Sequence, residues 1–340
     1  MTAVDTKTML GMREHLPKFE AFFLSRFFRR VALFDTKTVE FDKVRKGVKM
    51  AAFVSPIVAG RPNTQAGVTT VSFTPAYVKP TDIVEPGQMV VRMAGETTDQ
   101  PLSPSERRDL TIMNLLADHE DAITAREEWM AVQAVMTGTV TVSGEDYPTM
   151  LVDYGRTAAN NVDVSGGSEW DAVNIATYDP SADIEDWAGR SRVVCDTIIF
   201  APDVWPYFAS FTSVKAKLDT DRGSKSELEL GPQLAKVVQF KGYFGEYACY
   251  VYKGKYENSS GTEVNFMPAG TILMCPGFND DVMCYGAIQD AKALSEGISA
   301  ARRYAKNWIS EDPALDKVQT QSAPIPCTLQ PDDYVAVTVL

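Results

Sequence analysis

Histidine is nearly missing from this chain of 340 residues, which has two, His15 and His119. A zinc site built from histidines is out of reach. His119 falls beside Ile112, Leu116 and Ile123 on a predicted helix, where a hydrogen-bonded structural role fits better than a catalytic one. Five cysteines (Cys195, Cys249, Cys275, Cys284, Cys327) are odd in number and spread out, without a CxxC pair. That argues against a disulfide framework or thiolate metal site and predicts reduced, buried thiols. No GxSxG, HExxH, GxxxxGK[ST] or GxGxxG run occurs. The adjacent acids Asp280–Asp281 and Asp332–Asp333 sit in predicted loops, where a carboxylate pair is normally solvated. No catalytic, cofactor-binding or metal-binding residue is expected.

Basic residues are also in deficit: Lys+Arg 33 against Asp+Glu 45, a net charge of -12. This argues against tight sequence-specific nucleic-acid binding, which rests on cationic contacts to phosphate. No apolar run approaches the ~20 residues that span a bilayer. The start, MTAVDTKTML, lacks the basic and apolar regions of a secretory signal, so synthesis and assembly in a cytoplasm are expected. There is no internal repeat and no low-complexity tract. An apolar content of 45% is enough for a real core.

What is present is strongly patterned. FEAFFLSRFFRR (Phe19 to Arg30) holds five phenylalanines in twelve residues, and on a helix Phe19, Phe23 and Phe27 share a face with Phe22 beside them. Two readings stay open here. The helix is buried in its own core, or it is an arm whose rings dock on a neighbour while Arg26, Arg29 and Arg30 meet acidic partners. Alternation at Thr38–Asp42 predicts a half-buried strand. Two apolar runs, Ala52 to Val58 and Val68 to Val78, flank a turn-rich centre and read as a hairpin with edge prolines at Pro56, Pro75 and Pro80. No helix follows closely to cover it, so its expected destination is another protein surface.

Ser103-Pro104-Ser105-Glu106 is a capping box, and Gly138 is a natural stop, predicting one helix over Pro104–Thr137 with a charged flank from Arg107 to Glu128. A hairpin over 137–155 turns near Gly144. Helices are predicted over 181–192 and 204–218, and strands over 193–203, 247–256, 271–275 and 333–340. Strands interleaved with helices imply an α+β or α/β domain. Lys217 to Gly231 mixes basic and acidic residues around Gly223 and reads as a loop facing charged groups of a neighbouring subunit.

VSPIVAG (Val54 to Gly60) and SFTPAYVKP (Ser72 to Pro80) resemble the extended loop of the lambda-type phage major capsid protein family. FLSRFFRR (Phe23 to Arg30), GGSEW (Gly166 to Trp170), TYDPSADIE (Thr177 to Glu185) and KLDTDRGSKSELE (Lys217 to Glu229) match in the same order. So do YGAIQDA (Tyr285 to Ala291), KNWISEDPA (Lys306 to Ala314) and QSAPI (Gln321 to Ile325).

The resemblance implies an α+β chain with the Hong Kong 97-like capsid fold. It divides into an N-terminal arm (1–32), a peripheral-domain strand (33–48), an extended loop (49–92) and a peripheral domain with a spine helix (93–150). An axial domain (151–319) and a return to the peripheral domain (320–340) complete it. The implied function is the major head protein of a tailed phage, forming hexamers and pentamers of an icosahedral shell around double-stranded DNA. Implied partners are scaffolding and portal proteins and a trimeric decoration protein, with maturation from a procapsid. Acidity suits a wall that packed DNA slides past. The expected subunit contacts are Phe19, Phe22, Phe23, Arg26, Phe27 and Arg30 in the arm, with Val54, Pro56, Ile57, Phe73, Pro75 and Tyr77 in the loop. The alternatives are a soluble α/β enzyme with an unrecognised site and another virion component, such as a tail or connector protein.

Overall fold

Ser103 opens the element that organises the subunit, a helix spanning Pro104–Thr137. The Ser103 hydroxyl accepts from the Glu106 amide, the Glu106 carboxylate accepts from the Ser103 amide, and Pro104 fills the first turn, where no amide donor is needed. At the far end Gly138 adopts φ 73° and closes its N–H on the Ala134 carbonyl. Both ends lie where the capping box and the glycine predict them. The helix has 34 residues and is roughly 50 Å long at 1.5 Å per residue. The computed structural model describes residues 19–44, 68–91, 102–144, 147–219, 237–258, 260–312 and 314–340.

Gly138 is required twice over. Besides its left-handed backbone, a Cβ there would lie 2.7 Å from Cβ of Arg156. Arg156 is held close because its guanidinium caps the helix: Nη1 donates to the Met136 carbonyl at 2.8 Å, Nη2 to that of Val135, and Nε to that of Pro331 at 3.0 Å. Gly138→Ala should cost about 1–2 kcal/mol from backbone strain alone, and more once Arg156 is displaced. A urea midpoint equal to that of the unchanged protein would refute this.

The long helix serves two cores. Its N-terminal half contributes Ile112 and Leu116 to a small cluster with Val84, Met89, Ala305 and Val318. Beside that cluster lies an antiparallel sheet ordered Tyr304–Ser310, Leu315–Gln321, Thr81–Val84. His119 is buried at this junction, its Nε2 2.8 Å from Asp82 Oδ2 and its Nδ1 3.1 Å from Thr320 Oγ1, the structural role expected for it. The C-terminal half, Met130 to Met136, packs into the main core with the largest sheet among the described residues. That sheet has seven strands in the order Asn161–Asp163, Val335–Thr338, Thr271–Cys275, Thr197–Phe200, Tyr247–Tyr252, Val238–Phe244, Leu218–Asp219. Thr197–Phe200 and Thr271–Cys275 are buried along their whole length, as expected of strands covered on both faces. All five cysteines are buried free thiols.

Several expectations are corrected. The strand foreseen over 333–340 is confined to Val335–Thr338, which pairs with Thr271–Cys275 and Asn161–Asp163 and buries Val335, Ala336 and Val337 in the main core. The strand foreseen over 193–203 is confined to Thr197–Phe200, and Val194 upstream is 85% exposed. The helix foreseen over 204–218 is broken at Phe211, whose ψ of 134° turns its ring into the core between Trp170 and Tyr178. Val68–Phe73 pairs with Val39–Val44 in a two-stranded ribbon, register Val39↔Phe73. Residues 52–58 and the charged loop over 220–231 lie outside the described residues. The charged flank of the long helix is not all solvated: Arg108, Glu120, Glu127 and Glu128 are buried with partners.

One buried carboxyl makes stability depend on pH. Asp281 is 1% exposed, and it accepts from Tyr334 Oη at 2.7 Å and from the Leu329 amide at 2.9 Å. Burial pushes it up to about 7, the two donors and Arg156 pull it down, and Asp333 adds to the rise. An unfolded aspartate releases its proton near ~3.9. Between those values the folded chain holds the extra proton, so this group's contribution falls as pH rises from about 4 to 7 and is flat above. The full loss is up to about 4 kcal/mol. Urea midpoints at pH 5 and pH 8 should differ less in Asp281→Asn than in the unchanged chain; equal differences would contradict the assignment.

Candidate assembly surface

The aromatic helix spans Phe22–Phe27 and resolves the two readings of its sequence in favour of the core. Phe23 and Phe27 are 0% exposed and Phe22 is 3%. Phe23 meets Tyr252 edge-on at 5.1 Å, and Phe27 meets Tyr334 at 5.4 Å. Like any helix it leaves its first amides without intrahelical acceptors, and with Ala21 as a cap that offers no side-chain acceptor the long helix supplies them. Glu128 Oε1 accepts from the Phe23 amide at 2.9 Å and Oε2 from the Leu24 amide at 3.0 Å, while Tyr252 Oη donates to Oε1 at 2.9 Å. Burial pushes the Glu128 carboxyl up, and those donors pull it back. Asp121 Oδ1 accepts from the Phe19 amide at 2.8 Å.

Phe22, Phe23 and Phe27 are therefore walls of this subunit's own core, and Arg26 packs with them. Its Nη2 donates to Thr197 Oγ1 at 2.9 Å, and its guanidinium lies over the rings of Phe22, Phe27 and Tyr250. Phe19 is half-buried near Phe266, and Arg30 is exposed at the start of strand Arg30–Leu33. Loop residues are also tied to their own chain. Phe73 packs on Tyr154 at 5.9 Å, Pro75 is buried against Gly286, and Tyr77 Oη donates to Gln321 Oε1 at 2.6 Å. Val54, Pro56 and Ile57 lie outside the described residues.

What this subunit leaves uncovered is a different set of apolar side chains. Val31 and Leu33 point the same way from strand Arg30–Leu33, and Phe278, 67% exposed, lies beneath Arg29. A second set surrounds the start of the long helix: Ile83, Val90 at 71% exposure, Val91, Leu110 and Ile309. A groove of about 410 Å³ runs there between Met89, Val90, Pro104 and Ile309, floored by the Arg108–Asp316 pair at 2.6 Å. Composition could not reveal these residues, since valine pairs such as Val90-Val91 look like core in a sequence. Scattered exposed apolar residues are normal, whereas sets gathered beside free strand edges mark contact surface.

Across residues 5–339 the chain matches the family described as phage major capsid protein E. It is 41% identical over 339 residues to the major capsid protein of Escherichia phage lambda, covering 99% of each chain. The chain belongs to the phage major capsid protein E family. It is thus a structural subunit, not an enzyme, that assembles with its own copies into a shell and forms part of the virion. The P21 prophage-derived major head protein of Escherichia coli CFT073 is 39% identical over 341 residues, covering 100% of each chain. A prophage protein of E. coli CFT073 described as a capsid protein has the same fold in its crystal structure: TM-score 0.82, 32% identity, 100% of both chains covered. A phage-related protein from Bordetella bronchiseptica shares the fold alone, with TM-score 0.52 at 8% identity. The Hong Kong 97-like capsid fold expected from the resemblance is the one observed.

Proposed function

We propose that this capsid subunit is the major head protein of a tailed phage, forming hexamers and pentamers of an icosahedral shell around double-stranded DNA. The observation that carries the reading is end-to-end identity with the lambda protein, 41% over 339 residues, together with apolar sets left open on a folded subunit. A head-to-tail contact that closes into rings of six and five gives a closed shell. Obligate contacts of this kind bury roughly 2,000 Å² or more. In this reading the seven-stranded sheet belongs to an axial domain, and the long helix with the three-stranded sheet to a peripheral domain. The ribbon of Val39–Val44 and Val68–Phe73 is the stem of the extended loop, and Val54, Pro56 and Ile57 lie against a neighbour with Arg30 at the same seam. Scaffolding and portal proteins, a trimeric decoration protein and assembly in the host bacterial cytoplasm belong to this proposal. So does weak, non-specific contact with packaged DNA, consistent with a net charge of -12.

Negative-stain microscopy of the purified protein tests it. Shells, or rings of five or six, are the expected result. Discrete monomers at high concentration, or tubes, would contradict it.

A further inference from the structure

The ribbon of Val39–Val44 and Val68–Phe73 has no third strand among the described residues, and a two-stranded ribbon alone is marginally stable. Its direction must be set where it leaves the body. On the outgoing side Val39 is buried in the main core. On the return side residues 74–80 run down the subunit surface before joining strand Thr81–Val84. Pro75 packs on Gly286, where a Cβ would stand 3.0 Å from its ring, and Val78 and Ser322 exchange backbone hydrogen bonds of 2.8 and 3.0 Å.

Between these two anchors sits Tyr77. Its hydroxyl donates to Gln321 Oε1 at 2.6 Å and accepts from the Gln289 amide at 3.0 Å. Gln321 is 2% exposed, and its Nε2 donates to Asp290 Oδ2 at 2.8 Å and to Gln319 Oε1 at 2.7 Å. Asp290 Oδ2 also receives Lys306 Nζ at 2.5 Å, while its Oδ1 caps the helix Ala291–Ser295 through the amides of Lys292 and Ala293. A continuous polar chain therefore joins the ribbon's return limb to two strands and a helix of the body. Each group in it has a partner of matching polarity, and an amide side chain uses both its ends, so the chain admits one orientation of Gln321.

We propose that Tyr77 is a positioning residue: the Tyr77–Gln321–Asp290–Lys306 chain is a latch that fixes the exit angle of the ribbon and so its reach to a neighbouring copy. The proposal rests on the shell-building reading for its consequence, but the latch itself is a property of one subunit. A phenol between the Pro75 and Val78 anchors can hold such an angle through its hydroxyl without touching the neighbour. That separates it from a contact residue, which Tyr77 was expected to be.

Tyr77→Phe keeps the ring and removes only the hydroxyl, leaving Gln321 Oε1 and the Gln289 amide without their partner. Two readouts are compared with the unchanged protein: hydrogen exchange on the dissociated subunit, and the fraction sedimenting as shells or capsomers. The expected result is at least tenfold faster exchange at Val78, Gln289 and Ser322 with the long helix unchanged, and a tenfold or greater fall in assembled fraction. Unchanged exchange at those amides overturns the latch, whatever the assembly result. Faster exchange with full assembly overturns its role in aiming the ribbon. If the unchanged protein itself forms no shells or capsomers, the shell-building reading falls, and exchange alone still decides whether the latch exists.

Discussion

Arg303→Met is expected to destabilise the subunit by about 3–5 kcal/mol, because it strands a carboxylate that water cannot reach. The Arg303 side chain is 1% exposed, and its Nη1 lies 2.5 Å from Glu127 Oε1, whose side chain is 0% exposed. Its Nε faces Glu120 Oε2 at 3.4 Å, and its Nη1 donates to Ser322 Oγ at 3.0 Å. Arg302, half in solvent, reaches the other oxygen of Glu127 at 3.2 Å and cannot replace a buried partner. Against a total stability of about 5–15 kcal/mol, the loss would leave the fold barely intact. Replacing the group together, Arg303→Met with Glu127→Leu and Glu120→Leu, should recover most of it, since a buried ion cluster and an apolar substitute differ little in net energy. Urea unfolding measures both. A single variant within 1 kcal/mol of the unchanged chain would show that Glu127 finds water or another cation.

Phe23→Ala should cost about 3–5 kcal/mol, the price of emptying a ring-sized site in a packed core. The side chain is 0% exposed and contacts Phe22, Phe27 and Tyr252 at centroid distances of 5.6, 5.6 and 5.1 Å. An arm that docks on a neighbour predicts the opposite pattern, a stable subunit that fails to assemble. The two accounts separate on the unfolding curve of the dissociated subunit. Full stability with lost assembly would return the aromatic helix to the interface.

Local signals were the legible part of the sequence. Ser103, Pro104, Glu106 and Gly138 act within one turn of the helix ends, so they mark Pro104–Thr137 without knowledge of anything distant. Long-range pairing was not legible in the same way. The alternation at 38–42 predicts a strand but not its partner, and only the folded register joins it to Val68–Phe73. Glu127 and Glu128 looked like solvent-facing charges because their partners are far along the chain: Arg303 is 176 positions from Glu127, and the Phe23 amide 105 from Glu128. The phenylalanine face of the aromatic helix announced burial but not whose core it entered. For the assembly surface the family resemblance supplied the function, while the uncovered residues Val31, Val90, Val91 and Phe278 became visible only as exposure on a folded body.

Hydrogen exchange of the assembled protein against its dissociated subunit is the most direct check that sister copies cover these sets. The account predicts new protection at Arg30–Leu33, Thr81–Val84 and Pro86–Val90 on assembly, with Phe22–Phe27 equally slow in both states. Particles in which those three segments exchange as fast as in the free subunit, while Phe22–Phe27 alone gains protection, would contradict it.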